Sequence, residues 1–92
     1  MTKKSTTIDL ASVPLWTPDA GAASIHRTFR FQDFSEAWAF MTRVALLAES
    51  QNHHPNWSNV WNTVEIALST HDAGGLTGKD VTLARSIDAL LP

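Results

Sequence analysis

The tripeptide His53-His54-Pro55 is the strongest constraint on how this chain can fold. Before it, apolar residues recur at helical spacing; after it, they alternate as in a strand. Phe34, Trp38, Met41, Val44, Ala45 and Ala48 stand three or four residues apart. That spacing predicts a helix from Asp33 to about Gln51 with this stripe turned to a core. Asp33 with Glu36 three residues on is a capping-box-like start. Polar Ser50-Gln51-Asn52 and then Pro55 end the pattern. Proline disfavours the helical region for its predecessor, so His54 is expected to be extended and already outside the helix. Neighbours in extended chain point opposite ways, so the two histidines are expected to have different roles.

Beyond the tripeptide, residues 56–59 read as a loop, with a weak strand signal around Trp57 to Trp61. Val64, Ile66, Leu68 and Thr70 then alternate against Thr63, Glu65, Ala67, Ser69 and His71. This predicts a half-buried strand that carries Ser69 and His71 on its outer side. Gly74-Gly75 closes the connection. Thr77 followed by Asp80 is a second N-cap signature, opening a helix with Val81, Ala84, Ile87 and Leu91 inward.

Upstream, Ile25 to Phe31 alternates, with Ile25, Phe29 and Phe31 on one face and Arg27 interrupting it. Residues 1–24 are poorly patterned, and residues 1–14 stand as an N-terminal segment. Pro14, Pro18 and Gly21 punctuate the region, and Asp19-Ala20-Gly21 reads as a turn. Leu15-Trp16 can begin a short edge strand before Pro18 stops it. The first half-dozen residues are expected to fray. The order strand, helix, strand, helix, with weaker strands besides, predicts an α+β fold. A small antiparallel sheet carries its helices on one face, in a single domain spanning residues 1–92. The open face, or its rim, is where function is expected.

Composition narrows the function classes. The chain is 43% hydrophobic and 17% charged, ordinary for a globular domain. A net charge of −2, with no basic cluster beyond Lys3-Lys4, disfavours nucleic acid as the main partner. The longest apolar run, residues 44–48, is far too short to span a membrane, and no targeting segment appears. With no cysteine there is neither a disulfide framework nor a thiolate metal site, which fits a reducing cytosol.

Three of the four histidines fall in the stretch from Glu49 to Asp80. A helix ending near Asn52 and feeding the strand through a short loop can bring His53 or His54 near His71. Imidazoles titrate near neutral pH and suit both proton donation and acceptance. The bland alternatives are a helix C-cap for the pair and a tight turn for His71. Three histidines can also hold zinc, but neither HxH nor HExxH occurs, and the carboxylates stand at no recognised offset. His26, on the polar face of its strand, reads as an ordinary surface histidine.

The run Glu49-x3-His53-His54-Pro55, followed by Trp61, His71 and Asp80, resembles the signature of pterin-4a-carbinolamine dehydratases. Residues 41–46 and 68–76 support the likeness, which extends from about Trp16 to the C-terminus. The resemblance implies a four-stranded antiparallel sheet and a metal-free, cofactor-free dehydration of 4a-hydroxytetrahydropterins, which recycles the pterin used by aromatic amino acid hydroxylases. It implies His53 and His71 as acid–base groups, with His54 orienting or assisting. Asn52, Ser69 and Thr70 match positions that line the pterin site. Glu49 and Asp80 match signature carboxylates that steer an imidazole or bind the pterin's amino edge; Asp80 fits equally as a helix-capping residue. Trp16 and Trp57 are placed as pocket walls, with hydrophobic packing as the plainer reading. The chain departs from the family at Asn52, often Asp in relatives, at Trp61, commonly Tyr, and in a first helix reduced to a vestige over Ile8 to Val13.

The function expected is therefore a cytoplasmic hydro-lyase acting on a small-molecule pterin. A homodimer or homotetramer is expected from exposed sheet edges. The alternatives are a non-catalytic interaction protein on the same fold, as a dimerisation cofactor or assembly factor, and a pterin-binding protein of another pathway.

Overall fold

In the computed structural model, residues 8–19, 21 and 23–92 are described. The expected fraying of the first residues, and Ala20 of the expected turn, lie outside them. The elements are β1 (Thr17–Pro18), β2 (Ile25–Arg30), α1 (Phe34–Gln51), β3 (Asn56–Val60), β4 (Thr63–Leu68) and α2 (Gly78–Asp88). Short 3-10 turns cover Leu10–Ser12 and His71–Ala73. The strands form one antiparallel sheet in the order β1-β2-β4-β3. The fold is α+β, with both helices on one face of the sheet.

Register decides which residues meet the helices, because directly opposed residues of antiparallel strands share a face. Ile25, Arg27 and Phe29 stand opposite Leu68, Ile66 and Val64, and Trp57 stands opposite Ile66. This is the covered face. His26, Thr28 and Arg30, with Glu65, Asn56 and Ser58, make the open face and are exposed. The core joins Val13 and Trp16 to Ile25, Phe29, Val64, Ile66 and Leu68 of the sheet, and to Phe40, Val44, Leu83 and Ile87 of the helices.

Arg27, which interrupted the apolar alternation, is half-buried on the covered face. Its guanidinium donates to Asp88 Oδ1 at 2.6 Å and lies 4.6 Å from the centre of the Phe29 ring. Trp16 Nε1 donates to the same carboxylate oxygen at 2.9 Å.

Four expectations are corrected. The buried residues of α1 are Ala37, Phe40, Val44 and Ala48, whereas Phe34 and Trp38 are 48% and 57% exposed and stack on each other. Both stripes have helical spacing; Phe40, seated between Phe29 and Phe31 with ring centres 4.8 and 4.9 Å away, fixes the rotation. Residues 56–60 form a strand rather than a loop, since their polar side chains alternate about a full ladder with β4. β4 ends at Leu68, opposite the first residue of β2; Thr70 makes only a single bridge to Gly75, and His71 starts a 3-10 turn. Ser69 and His71 therefore do not share the outer side of a strand. The first short strand lies at Thr17–Pro18, and Leu15 is exposed.

The β3–β4 connection is a two-residue hairpin, Val60 pairing with Thr63. Trp61 takes the positive φ (49°) that such tight hairpins favour, and the Asn59 amide donates to the carbonyls of Trp61 and Thr63.

Leu68, fully buried, and Trp38, on the outer flank of α1, give contrasting expectations in urea unfolding. Leu68→Ala should cost about 2–5 kcal/mol through lost burial and a cavity, and Trp38→Ala about 1 kcal/mol or less.

Candidate active site

Four chain segments meet at one end of the sheet: the end of α1, the start of β3, the end of β4 and the start of α2. The ladder sets this, because Asn56 at the start of β3 pairs with Ala67 near the end of β4. α1 stops on Asn52, which adopts the left-handed conformation (φ 52°), a position Asn tolerates better than most residues. The N–H groups of Asn52 and His53 both reach back to the Ala48 carbonyl. This cap turns the chain so that His53 points inward and His54 outward.

His53 is 9% exposed. Its Nε2 lies 2.6 Å from Oδ1 of Asp80, which is fully buried. Asp80 Oδ2 accepts from the Thr70 hydroxyl at 2.7 Å and from the Thr77 backbone N–H at 3.0 Å. Thr77 is the N-cap of α2 and, with Asp80, forms a complete capping box. The carboxylate thus sits at the N-terminal end of a helix and accepts hydrogen bonds from it and from the loop before it. Asp80 is both the N3 residue of the cap and the hydrogen-bond partner of an imidazole.

Beyond Leu68 the chain folds into a small loop. Thr70 N–H donates to Gly75 O, and Gly74, at φ 74°, returns its N–H to His71 O. His71 is exposed on this loop. Ala23, Ser69, Thr70, His71, Gly74 and Gly75 line a hollow of about 290 Å³. Thr70 belongs to both structures, walling the hollow and holding Asp80. Its hydroxyl and both backbone polar groups are committed to internal bonds. His71 and the His53–Asp80 pair are therefore linked through one residue.

His54 is exposed and bonds Glu49 Oε1 at 2.8 Å across the helix cap. Asn52 and Ser69 are exposed at the same end. Trp16 is placed elsewhere, 4% exposed in the core with its indole N–H on Asp88. Trp57 is half-buried on the covered face. Among the described residues, no three His, Cys, Asp or Glu side chains stand close enough to ligate a metal.

A larger hollow, about 380 Å³, lies on the open sheet face between His26 and Asp19 on one side and Asn56 and Ser58 on the other. His26 Nδ1 bonds Asp19 at 2.7 Å. The Ser24 hydroxyl, donating to Asp19, holds that carboxyl below its usual range; some loss of hydration opposes this and His26 adds to it. The smaller hollow has His71 in its lining and, through Thr70, adjoins the buried His53–Asp80 pair. Sequence reasoning marked Thr77 as a cap and missed its contact with the site; the threonine pair at 70 and 77 carried no periodic signal.

The family model for pterin 4 alpha carbinolamine dehydratase matches residues 1–90. A protein of Rhizorhabdus wittichii named "Putative pterin-4-alpha-carbinolamine dehydratase" is 59% identical over 88% of this chain and 84% of its own length. One of the same name from Synechococcus is 63% identical over 86% and 83%. A crystal structure of a transcriptional coactivator/pterin dehydratase from Brucella melitensis superposes with TM-score 0.85, at 34% identity over 95% of this chain and 99% of that one. A pterin dehydratase-like protein identified as a RuBisCO assembly factor in the alpha-carboxysome superposes with TM-score 0.70, at 25% identity over 82% and 87%.

The two carboxylate–histidine pairs should differ sharply in worth. Asp80→Ala leaves His53 and a helix end without their acceptor and should cost about 3–5 kcal/mol. Glu49→Ala removes an exposed pair and should cost about 0–1 kcal/mol. Chemical denaturation of the two variants measures the contrast.

Proposed function

The chain belongs to the pterin 4 alpha carbinolamine dehydratase family, and from that membership we propose that it is a hydro-lyase converting 4a-hydroxytetrahydropterins to quinonoid dihydropterins and water. The observation that carries this reading is the His53–Asp80 pair, tied through Thr70 to the hollow where His71 is exposed.

The chemistry needs two proton transfers and no change of oxidation state. The ring nitrogen beside the carbinolamine carbon supplies its electron pair to form a C=N bond. The C–O bond breaks, the departing oxygen takes one proton and leaves as water, and the nitrogen gives up its own proton. One group gives and another takes, so the protein ends as it began. His53 and His71 divide these roles, and general acid–base groups of this kind contribute about 10²–10⁴-fold each. Asp80 holds the ring of His53, and a buried hydrogen-bonded imidazole loses little orientation between turnovers. His54, steadied by Glu49, assists at the rim. Ser69 and Asn52 offer hydrogen bonds to the pterin, while Thr70 contributes by holding Asp80.

In this reading the protein acts downstream of an aromatic amino acid hydroxylase, in the cytoplasm, as a homodimer or homotetramer. Two surfaces support self-association: the outer edge of β3, with no strand beside it among the described residues, and the exposed Phe34–Trp38 stack. A second reading is a partner-binding protein on the same fold, which the names of the two solved neighbours favour. The histidine set with its buried Asp80 supports the enzyme.

Dehydration of a freshly generated 4a-hydroxypterin, followed by absorbance, tests the proposal. The parent should accelerate it, His53→Ala and His71→Ala should each lose about 10²–10⁴-fold, and a chelator should change nothing. A double variant at full rate would remove the acid–base assignment; binding of a partner without turnover would leave the second reading.

A further inference from the structure

We infer that Thr77, the N-cap of α2, is a positioning residue for His53: its hydroxyl sets the direction of a hydrogen-bond chain that makes Asp80 purely an acceptor and leaves Nδ1 of His53 as the nitrogen presented to substrate. The substrate half of this statement rests on the function proposed above; the hydrogen-bond half does not.

Proton counting gives the direction. A threonine hydroxyl has one hydrogen and two lone pairs, and a backbone N–H can only donate. Lys79 N–H donates to Thr77 Oγ1 at 3.2 Å, so Thr77 is an acceptor there. Its single hydrogen has Thr70 Oγ1 at 2.6 Å. The single hydrogen of Thr70 is then left for Asp80 Oδ2, at 2.7 Å. Thr77 N–H also points at Oδ2, at 3.0 Å. Every hydrogen runs from the start of α2 towards the carboxylate.

The reverse direction fails on the same count. A protonated Asp80 giving its hydrogen to Thr70 would send the Thr70 hydrogen to Thr77. The hydrogen of Thr77 would then have no protein acceptor among the described residues. Oδ2 would also have to donate while accepting a backbone N–H, at a helix end that favours negative charge. With Asp80 accepting throughout, the 2.6 Å contact to its Oδ1 requires a hydrogen on Nε2 of His53. In the neutral ring Nδ1 then carries the lone pair, and it has no protein hydrogen bond among the described residues. A nitrogen so left is the one able to take a proton from substrate, or to return one.

The test reads the ring directly. Long-range proton–nitrogen spectra of the ¹⁵N-labelled protein, in the pH range where His53 is neutral, should show it as the Nε2–H tautomer. Thr77→Val removes the hydroxyl and the cap together. Thr77→Gly removes the hydroxyl at a position where glycine caps tolerably, so the effect survives if the valine variant folds poorly. Thr77→Ser keeps the hydroxyl. The valine and glycine variants should show mixed tautomers at His53 and a kcat lowered by about tenfold, a fraction of what a complete acid–base group is worth. Their KM should stay within about twofold, and the serine variant should recover both readings. An Nδ1–H tautomer in the parent would overturn the inference. So would a folded glycine variant with unchanged tautomer and kcat. The expected tautomer in a protein that never turns over pterin would sink the proposed function and leave the hydrogen-bond chain standing.

Discussion

A carboxylate buried completely in a domain of 92 residues is an expensive object, and most of the local geometry here follows from making it tolerable. Leaving an ion without partners in a low-dielectric interior costs several kcal/mol. Among the described residues, no lysine or arginine forms an ion pair with Asp80. It is held by the imidazole of His53, the hydroxyl of Thr70 and the backbone of Thr77. These donors come from the end of α1, the loop after β4 and the start of α2. A helix–helix crossing, a strand end and a loop are thereby referred to one pair of oxygens. Moving any of them takes a donor from the buried carboxylate, which is what ties the three segments to one another.

The sheet makes that convergence possible. With β4 between β2 and β3, the exit from β4 and the entrance to β3 lie at the same end. The left-handed cap at Asn52 then delivers His53 inward within one residue of the end of α1. Asp tolerates this backbone as well, but it would add a negative charge beside Glu49 and close to a helix C-terminus, where negative charge is disfavoured. Asn serves the turn without that repulsion.

Several features were legible because they depend on nearest neighbours in sequence. The caps at Asp33 and Thr77, the end of α1 before Pro55 and the opposite aims of His53 and His54 are local, and the alternation of β4 has the two-residue burial period of a half-buried strand. The rotation of α1 was not legible. Phe34 and Trp38 are more hydrophobic than Ala37 and Ala48, yet the alanines face inward because Phe40 must fit between two rings of the sheet. Apolar character along a helix says that an arc exists; only the partner's shape says which part of it is covered. His71 was misplaced for a related reason. Strand character in Ser69 and Thr70 is real, but a ladder ends where its neighbour ends, and β2 begins at Ile25. Thr77 escaped because nothing in a sequence shows that two hydroxyls seven residues apart will touch.

Asp88 is a second meeting point, receiving the indole of Trp16 and the guanidinium of Arg27. These contacts join residues 72 and 61 positions apart in the chain. Closing loops of this length has an entropic cost that local contacts do not carry. Trp16 and Arg27 therefore gain this shared partner only when α2 is in place. One carboxylate near the end of α2 thus works as a clasp: with it undone, an indole N–H and a guanidinium from the opposite end of the described chain would each have to find water instead.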